Sequence, residues 1–156
     1  MIRYAVLTAA VLALAACKPA AEGAKGEAGA TAAAPAAPTQ AAGDWYVTID
    51  PKGHMLDFKA TSESPDSELN LACVPGTGAL SMAWRNAQPA TLKSGAASQD
   101  YAAHDAAANL SDPVFAAFKD TGVMEITQGG RTQVLRGSPE GRFAVQAFFQ
   151  FCNKPA

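Results

Sequence analysis

Three cysteines, two histidines and one acidic loop are the residues of this chain whose types could do chemistry. Cys17, Cys73 and Cys152 make no Cys-x-x-Cys pair, and His54 and His104 stand at no ligand spacing from them, so neither a zinc site nor a dithiol redox site is written into the sequence. The serines fall in polar loops without a G-x-S-x-G elbow, which leaves no activated nucleophile in view. Glu63, Asp66 and Glu68 crowd into one loop but lack the alternating Asp/Asn ligand pattern of a calcium loop, and they read as a solvated turn. Both histidines read as surface residues. Paired carboxylates for glycoside hydrolysis are defined by their separation in space, which sequence does not give. The chain is therefore read as a non-enzyme with no catalytic residue, no metal and no cofactor.

The cysteine with the most telling surroundings is Cys17. Arg3 supplies one positive charge, and Tyr4 to Ala16 is an apolar run of 13 residues. A membrane-spanning helix needs about 20 such residues to cross a hydrocarbon core of about 30 Å, so this run has the length and flanks of a signal peptide. It ends in Leu14-Ala15-Ala16-Cys17. That tetrapeptide resembles the lipobox of a bacterial lipoprotein precursor, the alternative being an ordinary secretory signal with a cysteine nearby. The resemblance covers residues 1–17. It implies cleavage before Cys17, a diacylglyceryl group on the thiol, an added acyl chain such as palmitate, and a partner in the lipid bilayer. Several acyl chains together anchor a protein far more firmly than one, which alone holds only reversibly. Lys18, where an Asp resembles an inner-membrane retention signal, implies an outer-membrane lipoprotein facing the periplasm.

Residues 17–43 carry the lipidated cysteine and an Ala/Pro-rich linker. It has no aromatic and no β-branched aliphatic residue, and Pro35 and Pro38 interrupt its alanine runs. Such a segment buries too little apolar surface to offset chain entropy, and it reads as a disordered tether. Its 26 residues after Cys17 would reach roughly 25–30 Å.

Composition changes at Asp44-Trp45, and residues 44–156 read as one globular domain. Nine basic against twelve acidic residues give it a charge of −3, with no basic patch for nucleic acid. Period-two alternation places Trp45, Val47 and Ile49 on one face, then Leu56 and Phe58, then Leu69, Leu71 and Cys73, then Leu80, Met82 and Trp84. The turns Asp50-Pro51-Lys52-Gly53 and Val74 to Gly78 separate them. Residues 86–110 are weakly patterned, with short strands near Ala90–Lys93 and Ser98–Tyr101, and a loop of that kind often carries a contact surface. Ser111 predicts an N-cap for a short helix ending before Gly122. Gly129-Gly130 predicts a hairpin between Val123–Gln128 and Arg131–Arg136. Ser138 and Pro139 open a C-terminal helix whose Val145, Phe148, Phe149 and Cys152 face the core. The fold class is α+β: an antiparallel sheet of about five to seven strands, meander plus hairpin, with the C-terminal helix on one face.

Cys73 and Cys152 fall on the buried faces of a strand and of that helix, so the pair reads as a disulfide bracing the two; the alternative is two separate buried thiols. Arg85 points away from Trp84 and could join Lys59 and Arg136 in a polar face that meets a partner, the alternative being a solvated sheet face. The layout as a whole, a lipid-tethered domain with a disulfide and without catalytic residues, resembles lysozyme inhibitors and immunity proteins. It implies a binding module with a protein partner in the envelope, acting on a cell-wall hydrolase or toxin. The alternative is a structural or assembly accessory of the outer membrane or peptidoglycan layer.

Overall fold

The computed structural model describes residues 36–50, 53–102 and 106–155; Cys17 with its apolar run, the linker up to residue 35, Pro51-Lys52 of the first turn, and His104 lie outside the described residues. The first described element is a two-residue strand, β1 (Thr39–Gln40), upstream of the Asp44 boundary and within the segment read as tether. The four alternating segments follow as β2 (Asp44–Asp50), β3 (Gly53–Lys59), β4 (Leu69–Cys73) and β5 (Ala79–Trp84). In β3 to β5 every second residue is buried, and the antiparallel register sets Phe58 beside Leu69 and Leu69 beside Trp84. The weakly patterned stretch holds β6 (Ala90–Ser94), β7 (Ala97–Tyr101) and a further strand, β8 (Ala106–Asn109). Helix α1 (Pro113–Thr121) precedes the hairpin of β9 (Val123–Gln128) and β10 (Arg131–Arg136), and α2 (Pro139–Cys152) ends the fold. Gly129 and Gly130 both take positive φ, 53° and 77°, as a tight hairpin turn requires.

These strands form two five-stranded sheets within an α+β fold. One runs β2-β3-β4-β5-β8, the meander with β8 added antiparallel to β5. The other runs β1-β10-β9-β6-β7, in which β1 is the parallel partner of β10. One core cluster draws on both sheets and both helices, including Leu56, Phe58, Leu71, Leu92, Phe115, Phe118, Leu135, Phe148 and Phe149. Each buried Phe contributes about 1.5–3 kcal/mol before entropy. Neither helix, among the described residues, is long and apolar enough to cross a membrane.

The N-cap of α1 is Asp112 rather than Ser111. The Asp112 carboxylate accepts the Asn109 N–H at 3.0 Å and makes no side-chain cap of its own helix. Gly122 ends α1 in the left-handed region, its N–H on the Phe118 carbonyl at 2.7 Å.

Helix α2 is fixed at both ends by the meander. At its start, the Asp44 carboxylate accepts the backbone N–H groups of Trp45 at 2.8 Å and Ser138 at 2.9 Å, together with the Ser138 hydroxyl; that hydroxyl oxygen in turn accepts the Gly141 N–H at 3.1 Å. The adjoining Trp45 indole donates to the Gly122 carbonyl at 3.1 Å and lies 5.0 Å from the Phe58 ring and 4.8 Å from Phe118. At the other end, the Cys73–Cys152 disulfide joins β4 to α2 across a Cα separation of 5.9 Å, and the Gly76 N–H reaches the Cys152 carbonyl at 3.1 Å. The bridge spans 79 residues, a closure that in the chain-entropy model contributes about 4–5 kcal/mol.

Two measurements follow from this packing. In most helices Gly→Ala stabilises by about 1 kcal/mol. At Gly141 a Cβ would overlap the Asp44 carboxylate, so Gly141→Ala should instead destabilise by about 1–3 kcal/mol in urea unfolding. The Tyr101 hydroxyl is buried without a hydrogen-bond partner among the described residues. Burial first, and the Asp112 carboxylate second, push its phenol up to about 12 from the usual 10.0. Between those values the unfolded chain has released a proton that the folded chain holds, so stability present below pH 10 should be lost as pH rises to 12. Tyr101→Phe should remove that alkaline decline, measured as unfolding free energy against pH, without loss of stability at neutral pH.

A candidate binding trough on the meander sheet

The outer face of the meander sheet is set by the same alternation that buries its inner face. Pairing puts Thr48, Met55, Ala72, Ser81 and Ala107 side by side, one residue from each strand. At about 4.8 Å between strands, this row is about 19 Å long. Its centre is made of small residues, so the row is sunk below its rims and forms a trough of about 630 Å³. Met55 is 41% exposed on its floor, and Val74, 55% exposed, stands at its end beside Cys73. Ile49, also exposed, lies at the same end of the sheet but in the other phase, in register with inward His54. Two of the four large apolar side chains exposed among the described residues, Met55 and Val74, therefore meet at the trough. Clustered apolar exposure of this kind marks contact surfaces on soluble folds, whereas scattered exposure does not.

The other half of the same face is polar. Asp57 is buried although it points outward, because Ser67 and Asn70 donate to its Oδ1 at 2.6 and 2.8 Å while Lys59 Nζ lies 3.6 Å from its Oδ2. One strand further, Arg85 pairs with Glu68 at 2.9 Å and with Asp66 at 3.4 Å. Two of the three carboxylates of the acidic loop are thus engaged by Arg85.

Lys59 and Arg85 share this face, each with its own carboxylate. Arg136 does not join them: it lies on β10 in the other sheet and borders a separate groove at the start of α2. The polar face proposed from sequence therefore divides into Lys59 and Arg85, each with a carboxylate, on one sheet and Arg136 on the other. His54 is buried rather than at the surface, its ring 5.2 Å from Phe151 and its Nδ1 without a partner among the described residues. It shares the inward phase of Leu56 and Phe58, which the alternation of β3 could have shown. Among the described residues no three of His, Cys, Asp and Glu converge to hold a metal ion.

The segment that sequence left weakly patterned is tied down at its start. Trp84 Nε1 donates to the Gln88 carbonyl at 2.9 Å, and Gln128 Nε2 donates to the carbonyls of Asn86 and Gln88 at 3.1 and 3.2 Å. Its end supplies β8, and through Ala107 one wall of the trough. The trough itself escaped the sequence reading. Its signal was the run of small residues at most outward positions of β4, β5 and β8, namely Ala72, Ala79, Ser81, Ala83 and Ala107, where a solvated face usually carries polar side chains. No protein-family model, no curated protein and no solved structure matches the chain.

Proposed function

We propose that the protein is a binding module, held to the outer membrane by lipid on Cys17 and facing the periplasm, that takes an apolar segment of a protein partner into the trough. The observation that carries this reading is the sunken row of Ala72, Ser81 and Ala107 with exposed Met55 and Val74 about it. A row of small side chains and one thioether, with the hydroxyls of Thr48 and Ser81 among them, offers mainly apolar contact area, and the module acts by occupying a surface of its partner. The partner is a cell-wall hydrolase or toxin, and the module is of the inhibitor or immunity type. Lipid anchoring, which is part of this proposal, would concentrate the inhibitor where such an enzyme must work.

The test is titration of hydrolases that cut the glycan strand, the amide to the stem peptide, or the stem itself, with peptidoglycan turbidity as readout. The full chain should inhibit one class at about one-to-one stoichiometry. Ala72→Arg, which places a guanidinium in the trough, should weaken that inhibition by about 100-fold with an unchanged circular dichroism spectrum, since an unpaired charge buried at a contact costs several kcal/mol. Inhibition of no class, or inhibition indifferent to Ala72→Arg, would contradict the proposal; co-sedimentation with peptidoglycan without inhibition would favour an accessory of the wall instead.

A further inference from the structure

We propose a second site, independent of the trough, that binds a peptide carboxylate in the groove where α1, β10 and α2 meet. The groove holds about 450 Å³. Two guanidiniums line it and no carboxylate does. The Arg136 side chain is exposed and makes neither a hydrogen bond nor an ion pair among the described residues. Arg142 donates from Nη2 to the Asp120 carbonyl at 2.8 Å, which fixes the side chain and leaves the rest of its fork free. Lys59, Arg85 and Lys93 each lie against a carboxylate, while Arg136 and Arg142, like Lys119, Arg131 and Lys154, make no ion pair among the described residues; what sets the two arginines apart is that they line one groove. Two acidic groups next to groove residue Ser138 are already placed: Asp44 is held by Trp45 and Ser138, and Glu140 Oε2 stands 3.0 Å from the Ser138 hydroxyl, both outside the groove lining.

Beside the guanidiniums sits Phe143, 69% exposed and the most exposed large apolar side chain among the described residues. Two planar cations fit a carboxylate, and a neighbouring aromatic face fits the aliphatic group next to it. That combination is the end of a peptide: a free carboxylate with a small apolar side chain beside it. The site is concave, which suits a chain end and not the flat surface of a bilayer. Such carboxylates occur in two sources, the C-terminus of a protein and the stem peptides of the cell wall.

The Trp45 indole touches the groove floor, since it bonds the Gly122 carbonyl and would stand 2.6 Å from a Cβ at Gly137, both groove residues. Its fluorescence reports occupancy, and calorimetry gives the affinity. The probes are diacetyl-lysyl-D-alanyl-D-alanine, the same peptide with L-alanines, and the carboxamide of each, titrated into the full chain. Both acids should bind and both amides should not; preference for the D-peptide assigns the wall as source, and preference for the L-peptide assigns a protein end. Arg136→Gln should weaken binding by about tenfold, the loss of one charge-assisted contact. Phe143→Ser should weaken it several-fold, whereas Ala72→Arg should leave it unchanged, which separates this site from the trough. Equal binding of acid and amide, no effect of Arg136→Gln, or binding only to phosphatidylglycerol vesicles would overturn the proposal.

Discussion

The arrangement rests on what the dipeptide Asp44-Trp45 does at the start of the meander. Its carboxylate receives the first turn of α2, and its indole holds the last carbonyl region of α1. One strand end thereby fixes the position of both helices. The contact is close on every side: Gly137 and Gly141 are glycines where any side chain would meet Asp44 or Trp45. A half-buried carboxylate without donors would be costly, and here the donors include N–H groups that a helix start leaves unpaired, so each side removes the other's deficit.

With α2 fixed at its start by Asp44 and at its end by the disulfide, the helix can cover only one side of the meander. It packs against β2 and β3, and the phenylalanines of both helices complete the core from the inward face. Ring contacts run from Trp45 through Phe118 to Phe149 and Phe148. The outward face is left to its own residues. On one half, Asp57 with Lys59 and Arg85 with Glu68 and Asp66 cover the strands with paired charge; on the other half, alanines and a serine leave a trough. The site is thus a consequence of where the helices cannot go.

Much of this was legible in the residues. Alternation marked β2 to β5, the diglycine marked the β9–β10 turn, and the phase of Cys73 and Cys152 marked the disulfide that the structure contains. What escaped was non-local or small. Thr39–Gln40 becomes a strand only because β10 offers it an edge; nothing in an Ala/Pro-rich stretch announces that. β8 is three alanines and an asparagine, poor strand formers recruited by the edge of β5. The division of the strands into two sheets depends on β6 pairing with β9 across α1, a contact without a local signature. His54 was misplaced because a polar residue was weighed by type when its phase put it inside. Arg136 was grouped with Lys59 and Arg85 by charge alone, and its strand belongs to the other sheet.

The account stands or falls on whether the meander's outer face is a contact surface in the envelope. A photo-crosslinking residue at Ser81, exposed in the trough, tests this in the lipidated chain, with the same residue at exposed Gln150 on α2 as reference. The account predicts one adduct of defined mass from position 81 and none from position 150, with the adduct lost on Ala72→Arg. No adduct from position 81, or the same adducts from both positions, would contradict it.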